Sequence, residues 1–186
     1  MGARTPLANI EIRRGTADDA AELAEFAGRT FRETYSADTN QHDLQAHISA
    51  NFSCKKQSTE LADPNVITIL VRSDGMLIAY AQVRRSRPPP CVTHASPIEL
   101  HRLYLDRRAH GTELALMVMQ EIQQAAREFG GRHIWLSVWE RNARAIAFYK
   151  KAKFVDIGSQ FYMVGADKQL DRVLVVGVDP ESADAV

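Results

Sequence analysis

The sequence lacks any long apolar run. The longest, Leu114–Met119, spans about six residues, whereas a helix that crosses a bilayer needs roughly 20. An apolar amino-terminal segment with a small-residue cleavage site is also missing, and Pro6 stands where a myristoylation motif needs Ser or Thr. We therefore expect a cytoplasmic protein with no membrane partner.

An excess of charge of one sign is absent as well. The 186 residues include 23 Lys plus Arg and 23 Asp plus Glu, so nothing attracts the whole molecule to nucleic acid or to an anionic surface. We expect no nucleic-acid partner. Cysteine is scarce, and Cys54 and Cys91 are too few for a disulfide framework. Cys91 and His94 offer only two ligands, so we predict no metal site.

What is present fits an ordinary globular protein. Apolar residues make up 45% and charged residues 25% of the chain, which is enough for one good core. We expect a single domain over residues 1–186, with a core at about 9–179 and a polar, disordered tail at 180–186.

Hydrophobic periodicity predicts the order strand, helices, three strands, helix, strand, helix and two strands. Val66–Val71 and Met76–Val83 flank Asp74-Gly75, a strong signal for an antiparallel hairpin. The other predicted strands cover about 9–13, 98–105, 133–138, 154–164 and 170–178, and the helices cover 16–35, a segment containing Leu44 and Phe52, 53–63, 114–129 and 142–152. This order predicts a mixed α/β fold with helices on both faces of one sheet.

The stretch Glu99–Ala115 joins a strand to the longest helix through a turn at Gly111. The start of a helix presents unpaired N–H groups and the positive end of the helix dipole, which suits a phosphate or pyrophosphate. A plain connector between a strand and a helix has the same pattern, so the residues alone leave both interpretations open.

A second stretch places Asn142, Ala145 and Tyr149 on one face of a short helix. A phenol beside a cleft of low dielectric can donate a proton to a leaving anion. The alternatives are an N-cap for Asn142 and an ordinary half-buried aromatic for Tyr149.

Together these stretches resemble the GNAT superfamily of N-acetyltransferases. Glu99–Asp106 resembles its central strand, residues 110–115 stand where its pyrophosphate loop belongs, and Asn142–Phe154 is similar to its later helix motif. The resemblance implies a central, mostly antiparallel sheet of six to seven strands, splayed in the middle, with acetyl-coenzyme A as co-substrate and no metal. Phe31–Tyr35 and Trp139–Tyr149 further resemble the bacterial branch that acetylates spermidine and spermine.

The resemblance also implies site residues. Tyr149 would protonate the departing thiolate, and Glu99 would act as the base, directly or through water. A backbone N–H near Leu105 would polarise the thioester oxygen. His101, which alternates with Glu99, is either a helper base or a packing residue. The implied coenzyme-binding residues are Leu103, Tyr104, Leu105, His110, Gly111, Thr112, Glu113, Leu114, Ala115, Asn142, Ala145 and Lys151.

The pyrophosphate loop departs from the family pattern. His110 replaces the usual Gln or Arg, and Glu113 stands where the first motif Gly belongs, whereas Ala115 fits. A carboxylate about 4 Å from a pyrophosphate charge would cost roughly 4 kcal/mol at an effective dielectric near 20, unless it turns into solvent. Because backbone N–H groups do not depend on side chains, we expect the loop to bind coenzyme A with weakened affinity.

We therefore expect an acetyl-coenzyme A-dependent N-acetyltransferase that acts on a small primary amine, with polyamines as the leading choice. A peptide N-terminus, an amino acid or a drug amine are alternative acceptors. The alternative from another class is a binding or regulatory protein that keeps the fold but has lost turnover. A homodimer through a C-terminal edge strand is also consistent with the sequence.

Overall fold

The computed structural model describes residues 7–164 and 167–179; the predicted tail at 180–186 lies outside them. The strands are β1 (Ile10–Arg14), β2 (Val66–Ser73), β3 (Met76–Arg84), β4 (Pro97–Leu105), β5 (His133–Trp139), β6 (Val155–Val164) and β7 (Asp167–Gly177). The helices are α1 (Ala20–Tyr35), α2 (Gln41–Asn51), α3 (Cys54–Ala62), α4 (Leu114–Glu128) and α5 (Ala143–Lys151). The predicted element order is confirmed.

The bounds differ from the prediction at a few element ends. Thr16 opens a 3-10 turn, Ala17–Asp19, before α1 begins, and a second such turn, Arg107–Ala109, follows β4. Thr16 and Asp19 cap this turn reciprocally, and the Thr16 backbone N–H donates to Asp19 Oδ2 at 2.8 Å. Short 3-10 turns leave no apolar period of their own, so periodicity could not separate them from the helix and strand beside them.

The central hairpin forms at Asp74-Gly75 as the dipeptide predicts. Both residues have positive φ, 50° and 79°, the left-handed conformation that matches the twist of the strands on either side. β2 and β3 pair antiparallel through this turn.

All seven strands form one sheet in the order β1-β2-β3-β4-β5-β7-β6. β4 and β5 form its parallel pair, and their ladder covers Pro97↔His133, Ile98↔Ile134 and Glu99↔Trp135. Beyond Glu99 the two strands continue to Leu105 and Trp139 without pairing with each other. The sheet is therefore mostly antiparallel and splayed in the middle, as expected.

Helices cover both faces of the sheet. α1 buries Leu23, Phe26, Ala27 and Phe31 at helical spacing, and these residues form one core with β2, β3 and α2. α4 and α5 belong to the core on the other face. Among the helices of the described residues, none is long and apolar enough to cross a membrane.

Candidate active site at the splayed strands

A cavity of about 210 Å³ occupies the gap between β4 and β5. On one side it touches Thr34 and Tyr35 at the end of α1, and on the other it touches α5 through Ala145 and Tyr149. The cavity therefore runs through the sheet from one helical layer to the other. Two reactants could enter such a passage from opposite faces.

The strand β4 carries a bulge at the cavity. Gln82 pairs with Arg102 and Val83 with Leu100, so His101 is an extra residue on β4. Bulges bend a strand and redirect its side chains, and they are common beside active sites. Here the bulge places His101 in the cavity wall, where the β4–β5 ladder has just ended.

Backbone donors of β4 point into the gap. The Asp106 N–H donates to Ile78 O on β3 at 2.8 Å. Because successive residues of a strand direct their N–H and C=O groups to opposite edges, those of Leu103 and Leu105 face the gap. Both residues belong to the set that the family resemblance implies as coenzyme-binding, and the polarising N–H was expected near Leu105.

The loop after β4 is held in place by His110. This imidazole contacts the Leu105 carbonyl at 3.1 Å through Nε2, and Arg144 Nη1 lies 3.0 Å from its Nδ1. Burial and the nearby Arg144 lower the pKa of His110, so it is neutral at pH 7 with Nε2 as the donor. Gly111 follows with φ of 74°, a conformation that costs little only for glycine.

Of the predicted coenzyme-binding residues, eight line the cavity: Leu103, Tyr104, Leu105, His110, Gly111, Ala115, Asn142 and Ala145. The other four lie outside the cavity lining. Thr112 Oγ1 donates to Ala109 O at 2.7 Å, Leu114 is buried in the core, and the side chains of Glu113 and Lys151 are exposed. Periodicity predicted the elements, but it did not show which residues of one helical turn face the cavity.

Tyr149 lies in the cavity wall and is 8% exposed. Burial raises the pKa of its phenol, so the hydroxyl keeps its proton at neutral pH and is present as a hydrogen-bond donor. Asn142 is the N-cap of α5, since its Oδ1 accepts from the Ala145 N–H at 3.2 Å. Asn142 also lines the cavity, and the cap uses only its Oδ1 atom.

Glu99 lies outside the cavity lining and is ion-paired. Arg84 Nε donates to Glu99 Oε2 at 2.6 Å, and His101 Nδ1 lies 3.3 Å from Oε1. Burial alone would raise the pKa of Glu99, but the hydrogen bonds from His101 and Arg84 lower it to about 2. Burial lowers the pKa of His101, so a neutral imidazole, oriented by a carboxylate, faces the cavity.

Several cavity residues were not predicted as site residues from the sequence, among them Arg144, Tyr35 and Ser137. Arg144 lies in the first turn of α5, and a basic residue just after an N-cap, in a motif expected to lie near the predicted pyrophosphate loop, is a signal that could have been used. Tyr35 and Ser137 reach the cavity only because α1 and β5 meet there, and no local pattern reports such a meeting.

A buried polar network supports β4 beside the site. Arg102 Nη1 lies 2.5 Å from Glu60 Oε2 on α3 and 2.7 Å from Gln82 Oε1 on β3. The Arg102 guanidinium also lies over the Phe52 ring, 4.8 Å from its centroid. This network ties three elements together just behind the bulge.

Comparisons with known proteins agree with this architecture. Residues 21–154 match the family model described as Acetyltransferase (GNAT) family. An uncharacterised N-acetyltransferase of Mycobacterium tuberculosis is 31% identical over 157 residues, which cover 84% of this chain and 96% of the relative.

Solved structures share the fold at lower identity. A PaiA N-acetyltransferase of Thermoplasma acidophilum, crystallised with coenzyme A, has a TM-score of 0.68 and 20% identity, with 88% of this chain and 98% of the other covered. A GCN5-related N-acetyltransferase of Rhodopseudomonas palustris has a TM-score of 0.70 and 14% identity, with 93% and 98% covered. The chain therefore belongs to the acetyltransferase (GNAT) family and is an N-acetyltransferase of that type.

Proposed function

We propose that the protein transfers an acetyl group from acetyl-coenzyme A to a primary amine of a small molecule. The main structural support for this proposal is the cavity that passes through the sheet where β4 and β5 separate. A donor bound from the α4 and α5 side and an acceptor bound from the α1 side would meet inside it, and this juxtaposition accelerates a reaction between two molecules.

Residues on the α4 and α5 side fit coenzyme A. The backbone groups of Leu103 and Leu105 would pair with the pantetheine arm, and the Leu105 N–H would bond to the thioester oxygen. The His110–Gly111 loop, the start of α4 at Ala115 and the Arg144 guanidinium would surround the pyrophosphate. Bound acetyl-coenzyme A supplies an activated acyl group. The coenzyme A complex of the Thermoplasma relative supports this assignment.

Arg144 compensates for the unusual loop sequence in this proposal. The sequence raised the possibility that Glu113 repels the pyrophosphate, but its side chain is exposed and lies outside the cavity lining. His110 does not offer a positive charge of its own; it holds Arg144 at 3.0 Å instead. The charge that the family places on the loop would here come from α5.

We assign the proton acceptor to His101, with Glu99 as the residue that orients it. A carboxylate with a pKa of about 2 that is paired with Arg84 is a weak base at neutral pH. A neutral imidazole that donates Nδ1–H to Glu99 leaves Nε2 to accept the proton that the attacking ammonium must lose. On the other side, Tyr149 would give its phenolic proton to the departing thiolate.

For the acceptor, a polyamine remains the leading proposal. For the assembly, a homodimer through β6 is the corresponding proposal, because β6 ends the sheet and exposes Val155, Phe161 and Met163. Light scattering of the full chain and of Phe161→Lys would test it, since a charge at the contact should shift a dimer toward monomer. A monomeric wild type would contradict it.

Coenzyme A binding separates the enzyme from a GNAT-fold protein that has lost turnover. A ligand at about 100 times its dissociation constant adds roughly 2.7 kcal/mol to stability, which raises the melting temperature measurably. The absence of a shift at millimolar coenzyme A would favour the alternative. A thiol-release assay over a panel of amines, with polyamines first, then tests turnover.

Tyr149→Phe tests the chemical assignment. It should lower kcat by about 10² to 10⁴ with little change in coenzyme A binding. Tyr80→Phe is the matched control, because the Tyr80 hydroxyl is buried in the core without a hydrogen bond to the described residues and lies outside the cavity lining. Wild-type kcat in Tyr149→Phe would remove the phenol from the mechanism.

A further inference from the structure

Asp171 on β7 is a buried carboxylate that has no partner in the part of the chain that the structure describes. It is 7% exposed, and within residues 7–164 and 167–179 its side chain makes no hydrogen bond and no salt bridge. The other buried acids of these segments, Asp19, Glu60, Glu99 and Asp106, each pair with an arginine. A buried charge without such a partner is costly, so Asp171 needs a separate explanation.

The strand register places Asp171 beside the cavity. Asp171 lies opposite Trp139 of β5 and Gln160 of β6. Trp139 and Ser137 are two residues apart on one strand and share a face, and Ser137 lines the cavity. Cross-strand partners point to the same face. Asp171 therefore lies on the face of the sheet that α1 covers, the proposed acceptor side. Along the strand direction it is two residues, roughly 7 Å, farther on than Ser137.

Aromatic side chains enclose this part of the sheet. The Tyr35 and Trp139 rings are 5.4 Å apart, and Tyr35 itself lines the cavity. On the far side, the ring of Tyr162 lies 5.8 Å from that of His47 on α2. Gln169 Nε2 of β7 lies 3.4 Å from Thr39 Oγ1, just after α1. This contact joins the end of the helical layer to β7.

A carboxylate surrounded by aromatic rings is suited to a positively charged nitrogen. The carboxylate can accept charge-assisted hydrogen bonds from an ammonium group, and the ring faces attract the same cation. An anionic ligand would be repelled, and an uncharged one would leave the buried charge uncompensated. Burial raises the pKa of Asp171 to about 6, so the group is ionised at neutral pH and available to a cation.

We propose that Asp171, with Tyr35 and Trp139, forms a subsite for a second positive charge on the acceptor, so that the enzyme selects diamines and longer polyamines over monoamines. This inference rests on the proposed acetyl transfer, because it places one amine at His101 in the cavity. The second amine, several bonds away along an aliphatic chain, would reach Asp171. The subsite thus determines which amines bind and takes no part in the transfer itself.

Equilibrium binding tests the proposal without turnover. Calorimetry would measure 1,4-diaminobutane and 1-aminobutane on the full chain, with and without coenzyme A, for the wild type, Asp171→Asn, Asp171→Glu and the control Asp156→Asn. Asp156 belongs to an exposed pair with Arg172 on the same edge of the sheet. Melting temperatures of all four proteins establish that each is folded.

The wild type should bind the diamine more tightly, and Asp171→Asn should lose about 10- to 100-fold in diamine affinity, the effect of one hydrogen-bonded charge. Monoamine affinity should change less than about twofold, Asp171→Glu should keep part of the preference, and Asp156→Asn should match the wild type. The proposal is overturned if the wild type does not distinguish the two amines, or if Asp171→Asn changes both affinities equally or neither.

Failure of the subsite and failure of the proposed function give different results. If the thiol-release assay shows no transfer to any amine while the diamine preference still depends on Asp171, the subsite stands and acetyl transfer does not. If transfer occurs but the preference is unchanged in Asp171→Asn, the enzyme assignment stands and the subsite does not.

Discussion

Two regions of the same sheet face bury carboxylates in opposite ways. Behind β4, Glu60 lies 2.5 Å from Arg102; burial opposes ionisation there, but Arg102 outweighs it and lowers the pKa of Glu60. Beside β5, Asp171 is equally buried among aromatic rings and its pKa rises to about 6. A charge that completes the fold has its counter-ion in the chain. A buried charge that has no counter-ion among the described residues is best explained by a ligand that supplies one.

Breaking the paired region should have the largest effect on stability. In Arg102→Met, Glu60 loses its buried counter-ion and keeps only the more exposed Lys56, 3.4 Å away, and we expect the free energy of unfolding to fall by up to about 3–5 kcal/mol. Urea unfolding measures this loss. The double variant Glu60→Gln/Arg102→Met should recover most of it, because no uncompensated charge remains; a double variant as unstable as the single one would show that packing against Phe52, and not charge, dominates.

Glu99 is intermediate between the two regions, since it is paired with Arg84 and also oriented toward the cavity residue His101. In Glu99→Gln we expect kcat/KM to fall roughly tenfold or more, a part of the 10² to 10⁴ that a general base contributes. The carboxylate supports the charged form of His101, so its removal should also move the acid limb of the pH profile to lower pH. An unchanged limb would mean that His101 is not the titrating base.

The contribution of Asp171 to the free energy of unfolding should change with pH in the opposite direction to that of the paired acids. Its pKa is raised in the folded state, so the protonated form is the stabilising one and stability falls as pH rises from about 4 to about 6. Asp171→Asn should remove this fall. The measurement is the difference in unfolding free energy between variant and wild type at pH 4.5 and pH 7.5, which cancels the other titrating groups; a constant difference would contradict it.

The smallest effect is expected at the exposed pair Asp156–Arg172, which joins β6 and β7 at 2.7 Å. Exposed ion pairs contribute about 0–1 kcal/mol, so Asp156→Asn should change the urea midpoint only slightly. A loss of unfolding free energy comparable to that of Arg102→Met would mean that burial does not determine how much an ion pair contributes to stability.

Most of the fold followed from local patterns. The Asp74-Gly75 dipeptide predicted its hairpin, and the apolar period of 114–129 predicted α4, because turn conformation and helix faces depend on neighbours in the chain. The site was predicted in part for the same reason: His110, Gly111 and Ala115 lie in one loop and helix start, and Asn142 and Tyr149 lie on one helix.

The sequence alone therefore determined the elements, their order and the chemical groups that each would present. Only the tertiary structure decided that Tyr35, Ser137 and Arg144 line one cavity, that Glu99 pairs with Arg84 outside the cavity while His101 lines it, and that Asp171 has no counter-ion among the described residues. These facts depend on contacts between residues far apart in the chain, and the pKa of a buried group depends on which of those contacts it makes.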